Sequence, residues 1–136
     1  MKTLYTRCFA VLMLCAFLFA AGSASAADLP KTGALAPTEA LSLMHTLGDK
    51  LAVIDVRTEE EFAQGHVPGA MLLPLQSLEQ QLGKVPAERP ILLLCRTGRR
   101  AEAAYNMIHA AHPDKHDIWF LRGVPSYGAD GSFTFK

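Results

Sequence analysis

The sequence has no excess of charge of either sign, since 13 Lys and Arg stand against 13 Asp and Glu. A neutral chain carries no global field to hold a nucleic-acid backbone or an anionic membrane, so neither is expected as a partner. Long hydrophobic runs are also missing. The strictly apolar stretch from Cys8 to Ala21 falls short of the ~20 residues needed to cross a bilayer core. Internal repeats and low-complexity segments are absent beyond that stretch, which argues against a solenoid or a linker protein. Cysteine is scarce, with three in 136 residues, so a disulfide scaffold is excluded. What is present is a 50% apolar composition in a chain of one domain's length, which excludes disorder, a collagen-like fibre and a multidomain machine.

The amino-terminal segment reads as a targeting signal. Lys2 and Arg7 precede the apolar run, and small residues follow it down to Ala24-Ser25-Ala26, an A-x-A pattern that suits signal peptidase. Residues 1–26 are therefore expected to be a cleaved signal peptide and residues 27–136 the working domain, exported to the periplasm and free of the membrane once cleaved. Leu14 precedes Cys15 where a lipoprotein signal needs a small residue, which argues against lipidation there. Cleavage removes Cys8 and Cys15 and leaves Cys95 as the lone thiol. In an oxidising compartment such a thiol is either buried and inert or kept for its reactivity, and the count alone leaves both open.

Periodicity gives an α/β order. Pro37-Thr38-Glu39 opens a helical pattern through Leu41, Met44 and Leu47 that Gly48 closes. Leu51 to Val56 has strand length and β-branched character. Thr58 and Glu61 have capping-box spacing before a short helix that stops at Gly65, with Glu59 and Glu60 also in its first turn. Met71 to Leu73 reads as a strand, and Ser77 with Gln80 repeats the capping-box spacing before a helix ended by Gly83. Ile91 to Leu94 is apolar without alternation, as in a strand covered on both faces. After the loop Arg96 to Arg100, Ala101, Ala104, Tyr105 and Ile108 share one helical face, Pro113 stops that helix, and Ile118 to Leu121 is a further strand. Alternating strands and helices predict an α/β fold with a mainly parallel sheet flanked by helices on both faces. Working sites of such sheets lie at the carboxyl ends of strands, where Cys95 stands.

Cys95-Arg96-Thr97-Gly98-Arg99-Arg100 places a thiol at a strand end, then a glycine turn, then a helix start. Backbone N–H groups in that order point into the hollow of the loop and favour a thiolate or a bound anion. Arg96, Arg99 and Arg100 add permanent charge and planar donors suited to an oxyanion. A cysteine ending a strand is often just a small core residue, and arginines after a strand are often a solvated loop. The coincidence of all these features with the single remaining thiol favours a site built for a thiolate meeting an anion.

At these residues the chain resembles the rhodanese family of sulfurtransferases. Asp55-Val56-Arg57 with Glu61-Phe62, then Gly65-His66-Val67-Pro68-Gly69-Ala70 and Pro74-Leu75, are similar to the family's upstream signature. Cys95 to Arg100 resembles its six-residue active-site loop, and Leu121-Arg122-Gly123 its closing segment. The short, single-domain, exported members are the nearest likeness. The resemblance implies a rhodanese-like domain in which Cys95 takes the outer sulfur of a donor such as thiosulfate as a persulfide and passes it to cyanide or a thiol, including a thiol on a partner protein. It implies that Arg96, Thr97, Gly98, Arg99 and Arg100 form the loop that holds the persulfide and the anion, with no metal, nucleotide or flavin required. Two positions depart from the pattern: Gly123-Val124 and Tyr127 stand where paired glycines and a tryptophan are common, and Ala101 where serine is common.

Other constellations carry less. Asp55 and Arg57 read as a structural pair bracing the loop, and His66 as a turn residue. His109, His112 and His116 have spacings that could gather on a metal, but Pro113 interrupts any shared helical face, so no metal site is expected. A cysteine-dependent phosphatase or arsenate reductase would need an arginine at position 101, one place beyond Arg100; a non-catalytic rhodanese-like binding module would typically lack the cysteine.

Overall fold

In a computed structural model of the protein, residues 29–136 are described; the expected signal peptide lies outside them. Ten regular elements follow the chain: β1 (Gly33–Leu35), α1 (Pro37–Leu47), β2 (Ala52–Asp55), α2 (Glu59–Ala63), β3 (Met71–Leu72), β4 (Ile91–Leu94), α3 (Arg99–Ala111), β5 (Ile118–Leu121), β6 (Pro125–Tyr127) and β7 (Phe133–Phe135). The first five strands form one parallel sheet in the order β1-β5-β4-β2-β3, and β6 and β7 pair as a separate antiparallel hairpin.

Local chemistry explains the element ends. The Glu39 carboxylate accepts from the Ala36 N–H at 2.8 Å, and Pro37 occupies the first turn of α1, where its missing N–H costs nothing. Gly48, at φ 48°, turns the chain out of that helix. The Thr58–Glu61 capping box forms as expected. The expected helix from Ser77 to Gly83 does not: the chain runs through two 3₁₀ turns, Leu75–Ser77 and Glu79–Lys84. The Ser77 hydroxyl is turned back to donate to the Pro74 carbonyl and accepts from the Gln81 amide, so it caps nothing at Gln80. With no such cap, the segment keeps the tighter turn that points Leu78 into the core.

Alternate residues of the central strands feed two cores. On one face Ile54, Ile91, Leu93, Ile118 and Phe120 pack with Ala101, Ala104 and Ile108 of α3 and with Leu78 and Val85. On the other Leu92, Leu94, Trp119 and Leu121 pack with Ala40 and Leu43 of α1 and with Phe135 of β7. Helices thus cover both faces, and β4 and β5 are buried along their whole length. The Trp119 indole N–H donates to the Pro30 and Lys31 carbonyls at 3.1 and 3.0 Å, which fastens the lead-in segment to the sheet.

The strand order locates the site. From β2 the chain moves outward to β3, and from β4 it moves the opposite way to β5. The crevice at the carboxyl ends of β2 and β4 is therefore a topological switch point, where open α/β sheets place their ligands. Val56 and Cys95, the residues next after these two strands, stand on its two sides.

Candidate active site

Cys95 follows β4 and is 1% exposed. Its Sγ accepts a hydrogen bond from the Gly98 N–H at 3.1 Å. Gly98 caps α3 in the left-handed region at φ 92°. A Cβ there would lie 2.9 Å from the Leu121 carbonyl oxygen and 3.1 Å from the Arg122 Cα, so the loop closes against the end of β5 only with glycine at this position. The helix begins at Arg99, two residues earlier than the sequence pattern marks, which puts Arg99 and Arg100 in its first turn. The N–H groups of that turn have no intrahelical acceptor, and the helix dipole adds partial positive charge beside the sulfur.

The five residues after Cys95 divide by exposure and partners. Arg96 and Thr97 are exposed, Gly98 is buried and Arg99 is exposed. Among the described residues neither Arg96 nor Arg99 has an ion-pair partner. Arg100, grouped with them on sequence as a donor to the anion, turns instead to Glu61: Nη1 and Nη2 donate to the two carboxylate oxygens at 2.6 and 2.8 Å. This fork holds the Glu61 carboxyl down to about 2 and raises the Arg100 guanidinium. Arg100 therefore ties α3 to α2, and the charge free to meet a ligand comes from Arg96 and Arg99. Ala101, the departure from the family pattern, is fully buried in the core.

Across the crevice, Asp55 and Arg57 form the structural pair expected. Asp55 is fully buried, and Arg57 donates to it through Nε at 2.9 Å and Nη2 at 2.6 Å, while the Arg57 N–H bonds Asp55 Oδ1 at 3.0 Å. Nη2 also donates to the Gly65 carbonyl at 2.7 Å, which holds the loop after α2. The guanidinium lies 4.9 Å from the centre of the Tyr127 ring. Burial pushes the Tyr127 phenol up to about 12, and its hydroxyl oxygen is buried with no hydrogen-bond partner among the described residues. A Cβ on Gly65 would meet the Tyr127 Cβ at 2.9 Å, so this ring sits directly against the loop. His66 is a turn residue: its ring stacks on Phe62 at 3.7 Å, and Nδ1 donates to the Phe62 carbonyl at 2.9 Å.

Together Arg57, Glu61, Gln64, Gly65, Arg96, Pro125 and Tyr127 line a cleft of about 360 Å³ beside the loop. Cys95, 1% exposed, is not among the lining residues, whereas Arg96, next to it in the chain, is. The sequence reading missed the Glu61–Arg100 fork, and it marked Tyr127 only as a departure from the family pattern in the last segment. Glu61 already had a role as a helix cap, so nothing in its spacing announced a second one. The hairpin that places Tyr127 did carry a signal: Asp130-Gly131 ahead of alternating Phe133 and Phe135. His109, His112 and His116 do not come together, and no group of three or more potential metal ligands is found among the described residues.

Comparison with known proteins agrees with this geometry. The family model described as "Rhodanese-like domain" matches residues 36–124. The chain is 31% identical over 67 residues to a sulfurtransferase of Allochromatium vinosum, covering 49% of this chain and 63% of that protein. It is 33% identical over 110 residues to the HTH-type transcriptional regulator Rv0324 of Mycobacterium tuberculosis, covering 74% of this chain and 48% of that one. The match thus spans less than two thirds of either relative. In fold, the single-domain sulfurtransferase RDL2 of Saccharomyces cerevisiae superposes with a TM-score of 0.56 at 20% identity, covering 68% of this chain and 85% of that one. With residues 36–124, more than half of the chain, matched by the family model, the chain belongs to the rhodanese-like domain family.

Proposed function

We propose that this protein is a sulfurtransferase in which Cys95 carries the sulfur as a persulfide. The observation that carries the reading is the Cys95 sulfur held by the Gly98 N–H at 3.1 Å at the head of α3, in a loop whose Arg96 and Arg99 have no ion-pair partner among the described residues. Thiosulfate is the proposed donor. The Cys95 thiolate attacks its outer sulfur; an S–S bond forms at Sγ, the S–S bond of thiosulfate breaks, and sulfite leaves with the electron pair. Gly98 and the first-turn N–H groups stabilise the negative sulfur, while Arg96 and Arg99 offset the charge of the dianion and of departing sulfite. The acceptor, cyanide or a thiol of a small molecule or partner protein, then takes the outer sulfur and returns Cys95 to the thiolate. Because Cys95 is 1% exposed, entry of the donor requires its surroundings to open.

The proposed setting is the periplasm, with residues 1–26 removed as a signal and residues 27–136 as the mature domain. The test is thiocyanate production from thiosulfate and cyanide by the wild type and Cys95→Ser, with an aryl phosphate as rival substrate. The reading expects thiocyanate from the wild type only and no phosphate release. Aryl phosphate turnover dependent on Cys95 would replace it with a phosphatase, and a Cys95 inert to both substrates and to alkylation would favour a binding module.

A further inference from the structure

Three carboxylates around the crevice each have an arginine of their own. Asp55 is held by Arg57 at 2.6 Å, Glu61 by Arg100 at 2.6 Å and Glu102 by Arg122 at 3.5 Å. With these pairs cancelled, Arg96 and Arg99 are the surplus, two positive charges without an ion-pair partner among the described residues. The third pair is the loose one. Its Arg122 and Glu102 side chains are 65% and 49% exposed, so it adds little to stability.

That pair nevertheless flanks Gly98, the residue that holds the Cys95 sulfur. The Glu102 N–H donates to the Gly98 carbonyl at 2.9 Å, and the Gly98 N–H donates to Sγ at 3.1 Å. From the other side, a Cβ on Gly98 would lie 3.1 Å from the Arg122 Cα. The Arg122 guanidinium passes over the Phe120 ring, 6.0 Å from its centre, to reach the Glu102 carboxylate. Glu102 is the only acid in residues 95–102 and 121–125, the two segments that meet at Gly98. It stands in the first turn of α3, the helix end that favours an anion in the loop. One residue separates Glu102 from the sulfur in this chain of hydrogen bonds, so an unpaired carboxylate there acts on the loop over a distance on the order of the ~8 Å screening length at physiological salt.

We propose that Arg122 is a specificity-determining residue of sulfur loading: by cancelling Glu102 it keeps the mouth of the loop positive enough to admit a doubly charged donor. The inference rests on the sulfurtransferase reading, and Arg122 acts through Glu102, not on the donor itself. A dianion such as thiosulfate approaches a site that already holds the charge of the Cys95 thiolate. Loss of one positive charge therefore penalises the dianion about twice as much, in electrostatic energy, as a monoanion of the same shape. Methanethiosulfonate is such a monoanion, with a methyl group in place of one oxygen. It loads by the same step: the Cys95 thiolate attacks the outer sulfur, the new S–S bond forms at Sγ, the donor's S–S bond breaks, and methanesulfinate leaves with the electron pair.

The test follows the second-order rate of persulfide formation by intact mass with each donor and takes the thiosulfate-to-methanethiosulfonate ratio as its readout. Arg122→Gln is expected to lower the ratio about threefold, Glu102→Gln to raise it by a similar factor, and the double variant to restore it. Salt at about 1 M is expected to erase these differences. A disturbed loop would slow both donors together and leave the ratio unmoved. An unchanged ratio in Arg122→Gln would overturn the assignment, and a double variant that matches Arg122→Gln would overturn the route through Glu102; either result leaves the sulfurtransferase reading intact. A Cys95 that loads from neither donor would overturn both.

Discussion

At the scale of single residues, Gly98 and Tyr127 carry opposite expectations. Gly98 unites a left-handed backbone, a close approach to β5 and the only hydrogen bond to the Cys95 sulfur among the described residues. Gly98→Ala is expected to destabilise the protein by about 1–3 kcal/mol, the range for a strained backbone position, and to lower sulfur uptake further than that loss of folded protein explains. Urea unfolding and persulfide formation on the same sample check the two effects separately. Tyr127 buries a hydroxyl without a partner, a cost of about 1–3 kcal/mol that Phe does not incur. Tyr127→Phe is therefore expected to raise the urea midpoint, and an unchanged or lowered midpoint would mean that the hydroxyl is satisfied. Because burial lifts the Tyr127 phenol from an ordinary 10.0 to about 12, the protein is expected to lose stability as the pH rises from about 10 through about 12, and the Phe variant removes that alkaline loss.

Between elements, two ion pairs set the crevice. Arg57 neutralises a fully buried Asp55, so Arg57→Met strands a charge and is expected to cost about 3–5 kcal/mol in urea unfolding. The Glu61–Arg100 fork joins α2 to α3 and gives a pH signature. A carboxylate depressed from 4.5 to about 2 contributes stability that is complete above about pH 4.5 and disappears as the pH falls through about 2. Glu61→Gln is expected to be less stable than the wild type at neutral pH and to converge on it in that acid window, as followed by thermal midpoints; parallel curves would deny the pair any role in folding. These elements also show what a sequence can reveal. The capping box at Thr58, the unbroken apolar run of β4 and the glycine stop at Gly48 are local signals, and each element appears close to where it is expected. Strand β1 is three residues of small and apolar character, organised by pairing with β5 more than 80 residues away, and no local pattern marks it. The Ser77 segment had the right spacing for a cap, but the hydroxyl found a nearer partner in the Pro74 carbonyl.

For the whole molecule, the strand order matters more than any one element. It sets the ends of β2 and β4 side by side, so Arg57, Glu61 and Gly65 line one cleft with Arg96 and with Pro125 and Tyr127, far apart in the chain. The thiol and its loop were legible in sequence because their chemistry is contiguous. The division of labour among the arginines was not, since the commitment of Arg100 to Glu61 depends on how α2 and α3 meet across 39 positions. The central claim is that Cys95 is a sulfur carrier, and the most direct measurement is the intact mass of the reduced protein before and after thiosulfate, with Cys95→Ser alongside and cyanide added last. The account predicts a gain of one sulfur atom in the wild type alone, erased by cyanide. An unchanged mass with a demonstrably reduced Cys95, or the same gain in Cys95→Ser, would contradict it.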